Sequence, residues 1–177
     1  MSRAVFLDRD GVLNRAIVRD GLPYPPASLD ELEVLPGVPE SLRELKDAGF
    51  LLLVVTNQPD VARGITRRET VESINDTLGR ALPIDHFYVC YHDSRDGCSC
   101  RKPKPGMLLD AAHERGIDLT RSYMVGDRWR DIEAGAAAGC ATVFIDCGYT
   151  EKQPHQFSFR ARTLLEANSF ILNKEIP

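Results

Sequence analysis

Ala4-Val5-Phe6-Leu7-Asp8-Arg9-Asp10-Gly11 runs four apolar residues straight into two aspartates and a glycine. An apolar run that does not alternate with polar residues reads as a strand buried on both faces, the pattern of a parallel sheet covered by helices. The same pattern returns at Phe50-Leu51-Leu52-Leu53-Val54-Val55, His86-Phe87-Tyr88-Val89, Tyr123-Met124-Val125 and Ala141-Thr142-Val143-Phe144-Ile145. Between these runs lie helical patterns. Pro39 to Ala48 puts Leu42 and Leu45 on one face and stops at Gly49, and Pro105 to Arg115 stops at Gly116; proline at the start and glycine past the end suit helix termini. Thr66-Arg67-Arg68-Glu69 has capping-box spacing and opens a helix with Val71, Ile74 and Leu78 inward. Asp131 to Ala138, stopping at Gly139, is alanine-rich enough to lie close on a sheet.

The resulting order, β-α-β-α-β-loop-α-β-α-β-α, predicts an α/β three-layer sandwich around a central parallel, Rossmann-like sheet. Residues 14–36, with Pro23, Pro25, Pro26 and Pro36, read as a long loop, a length that usually carries a task. Ser158 to Leu172 reads as a terminal helix. With 177 residues, 43% hydrophobic and 27% charged, the composition is that of an ordinary globular protein, and a single domain over 1–177 is expected. The net charge of −4 argues against nucleic acid as a partner. No run approaches the ~20 apolar residues of a membrane span, and the residues before Asp8 do not make a signal peptide. A cytoplasmic monomer is the expectation.

Polar groups cluster where the apolar runs stop: Asp8 and Asp10 after the first, Thr56-Asn57-Gln58 after the second, Arg101-Lys102-Pro103 after the third and its loop, and Asp127 after the fourth. In an open parallel sheet the carboxyl ends of the strands line the ligand crevice, so these residues can converge. Asp8, Asp10 and Asp127 together would make an oxygen-rich Mg2+ site. Such a set suits phosphoryl transfer to a carboxylate: Asp8 as nucleophile, Asp10 as general acid and base, Thr56 and Lys102 on the phosphate oxygens.

Asp8-Arg9-Asp10-Gly11-Val12-Leu13-Asn14, Thr56-Asn57-Gln58, Cys98-Ser99-Cys100-Arg101-Lys102-Pro103 and Gly126-Asp127-Arg128-Trp129-Arg130-Asp131 resemble, in order, the four motifs of a haloacid dehalogenase superfamily phosphatase of the histidinol-phosphatase-like branch. The resemblance covers residues 4–147 and implies an HAD-like fold. It implies that Asp8 is nucleophile and Mg2+ ligand, that Asp10 also gives its backbone carbonyl to the metal, and that Asp127 is a ligand. It implies further that Thr56 and Lys102 bind the transferring phosphate and Arg101 the rest of the substrate, and that Asp131 supports Lys102 or a metal-bound water; Asn57 and Arg63 are also expected to meet the substrate. The expected reaction is removal of the 7-phosphate from a heptose 1,7-bisphosphate on the way to nucleotide-activated heptose, with histidinol-phosphate hydrolysis as the alternative. A zinc-loop binding module would leave the aspartates unused.

Cys90-x-His92 and Cys98-x-Cys100 supply three thiolates and an imidazole within residues 90–100, a closed donor set for structural Zn2+. Such soft and nitrogenous donors do not suit Mg2+, so two metals with two tasks are implied. Cys140 and Cys147 read as buried small residues near the last strand. Gly11 to Val55 and Gln58 to Cys90 are committed to core elements, leaving no room for a cap domain. Selectivity then falls to residues 14–36, Arg63-Gly64-Ile65 and the zinc loop, with Arg63, Arg67, Arg95, Arg101 and Lys104 as a basic rim suited to a phosphorylated sugar. Asp146-Cys147-Gly148-Tyr149 departs from the family's usual sequence after the last strand.

Overall fold

A computed structural model describes residues 1–174. Its central sheet has six strands: β1 (Ala4–Leu7), β4 (Leu51–Asn57), β5 (His86–Cys90), β6 (Tyr123–Gly126), β7 (Ala141–Ile145) and β8 (Phe159–Ala161). They lie in the order β5-β4-β1-β6-β7-β8, and every pairing is parallel. The chain steps outward from β1 to β4 and β5, then returns to the far side of β1 for β6, β7 and β8. The direction therefore reverses at β1, and the crevice at its carboxyl end is where such sheets bind ligands.

Alternation along the strands builds the three layers. Val5, Leu7, Leu52 and Val54 face a core shared with Leu42 and Leu45 of α1 (Val38–Asp47), Ile74 and Leu78 of α2 (Arg68–Ala81), and Leu164 and Ile171 of α5 (Leu164–Asn173). Ala4, Phe6, Leu53 and Val55 face Met107, Leu108 and Ala111 of α3 (Gly106–Arg115) and Ala134 of α4 (Trp129–Ala138). Burial on both sides explains why the sequence shows unbroken apolar runs.

Three expectations change. Residues 14–36 are not only loop: β2 (Ile17–Arg19) and β3 (Leu22–Tyr24) pair as an antiparallel hairpin. Its two-residue turn, Asp20-Gly21, has positive φ at both positions, 51° and 75°, as the tight hairpin turn matching strand twist requires. The segment from Ser158 is not helical throughout, because Phe159–Ala161 adds β8 beside β7 before α5 begins at Leu164. The helix after Thr66 starts at Arg68 with Arg67 as its N-cap, and no side chain caps it, so the Thr66–Glu69 capping box does not form. Among the described residues no helix is long and apolar enough to cross a membrane.

Candidate active site

β1 delivers Asp8 into the crevice, and the backbone N–H of Asp8 donates to Val125 O at 2.9 Å, which ties it to β6. Asp127 follows the last residue of β6. Asp131 lies in the first turn of α4, where its Oδ2 accepts from the Arg128 backbone N–H at 3.0 Å. A Cβ on Gly126 would stand 2.1 Å from the Asp131 Cβ, so only glycine lets the helix start this close to the strand end. The three carboxylates of Asp8, Asp127 and Asp131 each place an oxygen within 4.8 Å of the others.

Lys102 enters the same space from the loop after β5. Its Nζ lies 2.8 Å from Asp8 Oδ1, 2.6 Å from Asp131 Oδ1 and 2.7 Å from Val55 O, so the three ammonium protons all have partners. Its backbone is clasped by Asn57: the Asn57 amide donates to Lys102 O at 3.0 Å, and the Lys102 N–H donates to Asn57 Oδ1 at 3.1 Å. Asn57 therefore locks the end of β4 to the Lys102 loop.

One ammonium does not balance three buried carboxylates. Burial pushes the Asp8 carboxyl up to about 6, against the pull of Lys102 and with further help from Asp131 and Asp10. Burial, then the charges of Asp8 and Asp131, raise Asp127 well above the usual carboxylate range. Burial alone would lower Lys102, but Asp131 and Asp8 outweigh it and hold the ammonium more firmly than in water. Asp127 Oδ1 is buried without a hydrogen-bond partner, while its Oδ2 accepts from the Tyr149 hydroxyl at 2.8 Å. An unpartnered buried carboxylate oxygen beside a second raised carboxylate is what a hard divalent cation relieves.

The Asp10 carboxylate lies outside this set, and the third carboxylate beside Asp8 and Asp127 is that of Asp131. Arg9 holds Asp10 from Nε and Nη2 at 3.0–3.2 Å, the Asn14 amide donates to Oδ1 at 2.9 Å, and the Gln58 amide donates to Oδ2 at 2.9 Å. Arg9 is fully buried and also donates to Asn75 Oδ1. The same Gln58 amide donates to Thr56 Oγ1 at 2.9 Å, joining Thr56 to Asp10. Arg9, Asn14, Gln58, Asn75 and Tyr149 are site residues that reading motifs for chemistry passes over. Arg9, Asn14 and Gln58 lie inside the motifs; Asn75 and Tyr149 carry no signal of contact.

Cys90, His92, Cys98 and Cys100 also converge, with donor atoms within 4.8 Å of one another. Four of the six separations lie between 3.3 Å and 3.8 Å. Tetrahedral Zn2+ takes four thiolate and imidazole donors with Zn–S arms of about 2.3 Å, so the set fits that ion in the number and type of its donors. Lys104 donates to Gly97 O and Cys98 O, and Arg101 donates to His92 O at 3.1 Å, which couples the loop to the Lys102 segment. Cys140 is buried, but Cys147 is exposed, contrary to its expected burial, because it follows the end of β7.

The basic rim is drawn differently from expectation. Lys104 turns into the cysteine loop, Arg95 projects into solvent, and Arg63 is engaged by Asp93 at 2.5 Å and Asp60 at 3.2 Å. Arg101 instead joins Arg128 and Arg130, two residues given no binding role by the motifs. These three line both a recess of about 70 Å³ against Asp8, Lys102 and Asp131, and a cleft of about 210 Å³ walled by Tyr24 of the hairpin and by Arg63. Glu151 grips Arg128 with both oxygens, at 2.6 Å and 2.8 Å. Arg130 Nε is buried with no partner, and burial, then Arg128 and Arg101, lower its affinity for its proton. Crowded guanidinium groups of this kind favour an anion between them. A separate cavity of about 310 Å³, walled by Val12, Leu35, Ile145 and Leu164, has neither carboxylate nor lysine in its lining.

An aspartate just past the end of the first strand, a lysine shared by two aspartates and a further aspartate at the fourth motif make a set suited to phosphoryl transfer, and comparison with known sequences places the chain among hydrolases. The profile of the haloacid dehalogenase-like hydrolases matches residues 17–139; the chain belongs to that family. It is 39% identical over 151 residues to D-glycero-beta-D-manno-heptose-1,7-bisphosphate 7-phosphatase of Yersinia pestis, covering 78% of this chain and 77% of that protein. With the enzyme of the same name from Bordetella bronchiseptica it shares 37% over 158 residues, 85% and 84% of the two chains. The crystal structure of D,D-heptose 1,7-bisphosphate phosphatase from B. bronchiseptica, complexed with magnesium and phosphate, superposes with a TM-score of 0.84 at 33% identity, over 98% of this chain and 99% of that one. The chain is accordingly a phosphoric monoester hydrolase.

Proposed function

We propose that this protein, as one domain and one chain, removes the 7-phosphate from D-glycero-D-manno-heptose 1,7-bisphosphate, a step toward nucleotide-activated heptose. The observation that carries the reading is that Arg101, Arg128 and Arg130 wall both the Asp8–Lys102 recess and the neighbouring cleft. One end holds a nucleophile and a fixed ammonium; the other is built for a second anionic group. The names of its relatives support the same substrate, and the β anomer among its two forms.

Asp8 attacks phosphorus to form an aspartyl phosphate, while Asp10 gives its proton to the departing sugar oxygen. Asp10 then takes a proton from water as that water attacks the aspartyl phosphate, and inorganic phosphate leaves with Asp8 restored. Lys102 and the Thr56 hydroxyl hold the phosphoryl oxygens through both displacements. Asn57 acts by fixing the Lys102 backbone, and Arg101, Arg128 and Arg130 by binding the second phosphate; Arg63, paired to Asp93 and Asp60, braces the cleft wall. Asp8, Asp127 and the Asp10 carbonyl would hold Mg2+, with Asp131 supporting Lys102 beside them. Bound there, the ion neutralises the carboxylates and draws charge from the phosphoryl oxygens. Cys90, His92, Cys98 and Cys100 would hold a structural Zn2+ that orders the Arg101–Lys102 segment. Reduced thiols in that role suit a cytoplasmic enzyme.

The test compares kcat/KM for heptose 1,7-bisphosphate, heptose 7-phosphate and histidinol phosphate, with Asp8→Asn as the inactive control. The bisphosphate is expected to lead, and faster turnover of histidinol phosphate than of either heptose ester would reject the substrate assignment.

A further inference from the structure

After β7, Asp146-Cys147-Gly148-Tyr149 brings a tyrosine against the candidate reaction centre. Tyr149 is 9% exposed, and its hydroxyl donates to Asp127 Oδ2 at 2.8 Å. The other oxygen of Asp127, Oδ1, is buried and has no protein partner. One oxygen is thus held by the phenol and its twin is left for a cation. The contact is tight on its third side as well. Gly11 has φ +90°, and a Cβ there would fall 1.9 Å from Asp127 Oδ2 and 2.8 Å from the Tyr149 hydroxyl, so the Asp10–Gly11 turn closes over the pair. Two residues beyond Tyr149, Glu151 clamps Arg128 through two bonds. The 146–151 segment therefore grips two consecutive residues, Asp127 and Arg128, at the carboxyl end of β6.

We infer that Tyr149 is a positioning residue that orients Asp127 for divalent-cation binding, fixing which carboxylate oxygen faces the metal. The inference rests on the reading of Asp127 as a metal ligand. A carboxylate at the end of a strand can rotate about its side-chain torsions; a hydrogen bond to one oxygen removes that freedom before the ion arrives, and loss of such a supporting partner typically weakens metal binding by about 10–100-fold.

Tyr149→Phe removes the hydroxyl and keeps the ring, and folding of the variant is checked by circular dichroism. Calorimetric titration with Mg2+ reads the hard-oxygen site, since the thiolate and imidazole donors of the cysteine loop do not take that ion. The dissociation constant for Mg2+ is expected to rise about 10–100-fold, with kcat recovered when Mg2+ is raised to saturation. A side chain that merely filled space would leave both the Mg2+ constant and the thermal midpoint nearly unchanged, because phenylalanine fills the same space. Wild-type binding with a variant constant within twofold of it, or a kcat that stays low at saturating Mg2+ with the constant unchanged, overturns the positioning role alone. Absence of Mg2+ binding in the wild-type protein overturns the metal reading and this inference together.

Discussion

Asp8→Asn isolates the charge buried at the end of β1, and its effect on stability can be worked out in sign and size. In the folded protein without divalent cation the Asp8 carboxyl is pushed up to about 6, against an ordinary value of 3.8, chiefly by burial. Between those two values the unfolded chain has released the proton and the folded one has kept it. Stability therefore falls as pH rises from about 4 to about 6, and two pH units at about 1.4 kcal/mol each come to roughly 3 kcal/mol. The carboxamide of the variant does not titrate and has nearly the shape of the protonated acid. The variant should match the wild type near pH 4 and exceed it by about 3 kcal/mol at pH 7, which for a chain of this size raises the thermal midpoint by about 6–12 °C. Mg2+ at about 100 times its dissociation constant returns roughly 2.7 kcal/mol to the wild type alone and closes most of the gap. Thermal unfolding of both proteins in matched buffers across this range, with and without Mg2+, reads all three quantities. A gap that stays constant with pH, or one in which the wild type gains on the variant as pH rises, would refute the reasoning, because it would mean that attraction to Lys102 outweighs burial.

Removal of the Asp10 carboxylate in Asp10→Asn should lower kcat by about 10²–10⁴-fold, the usual contribution of a general acid and base, with Mg2+ affinity retained; steady-state kinetics and calorimetry separate the two. Arg130→Ala should lower kcat/KM for the bisphosphate by about 10–100-fold, as expected for one charge-assisted contact, and leave heptose 7-phosphate nearly unaffected; equal losses on both substrates would move the second phosphate elsewhere. Gly126→Ala places a methyl group 2.1 Å from the Asp131 Cβ, and the forced shift of α4 should cost about 1–3 kcal/mol and reduce kcat as Lys102 loses alignment, measured by denaturant unfolding and turnover. Cys98→Ser should abolish stoichiometric zinc by elemental analysis and lower the thermal midpoint, since binding at such a loop carries folding free energy.

The layers were legible because burial on both faces keeps the inner runs apolar: Ala4–Leu7, 51–55 and 123–125 announce themselves. The cysteine loop was equally plain, since its four donors lie within eleven residues and local spacing alone can bring them together. The hairpin at Asp20-Gly21 was readable from a turn dipeptide but hidden among prolines, and β8 was masked because three residues beside a helix carry too little periodicity. What the sequence determined by itself is thus the set of reactive groups, their order and the sheet that carries them, all consequences of short-range pattern.

Tertiary structure alone decided the partners. It put Asp131 rather than the Asp10 carboxylate beside Asp8 and Asp127, because β6 and the first turn of α4 meet where Gly126 leaves room. It laid Lys104 against the cysteine loop and gathered Arg101, Arg128 and Arg130 at the cleft. It brought Tyr149, 22 residues further along the chain, onto Asp127. The directions of long side chains and the approach of distant loops depend on packing across the whole sheet, and no local pattern of residues encodes them.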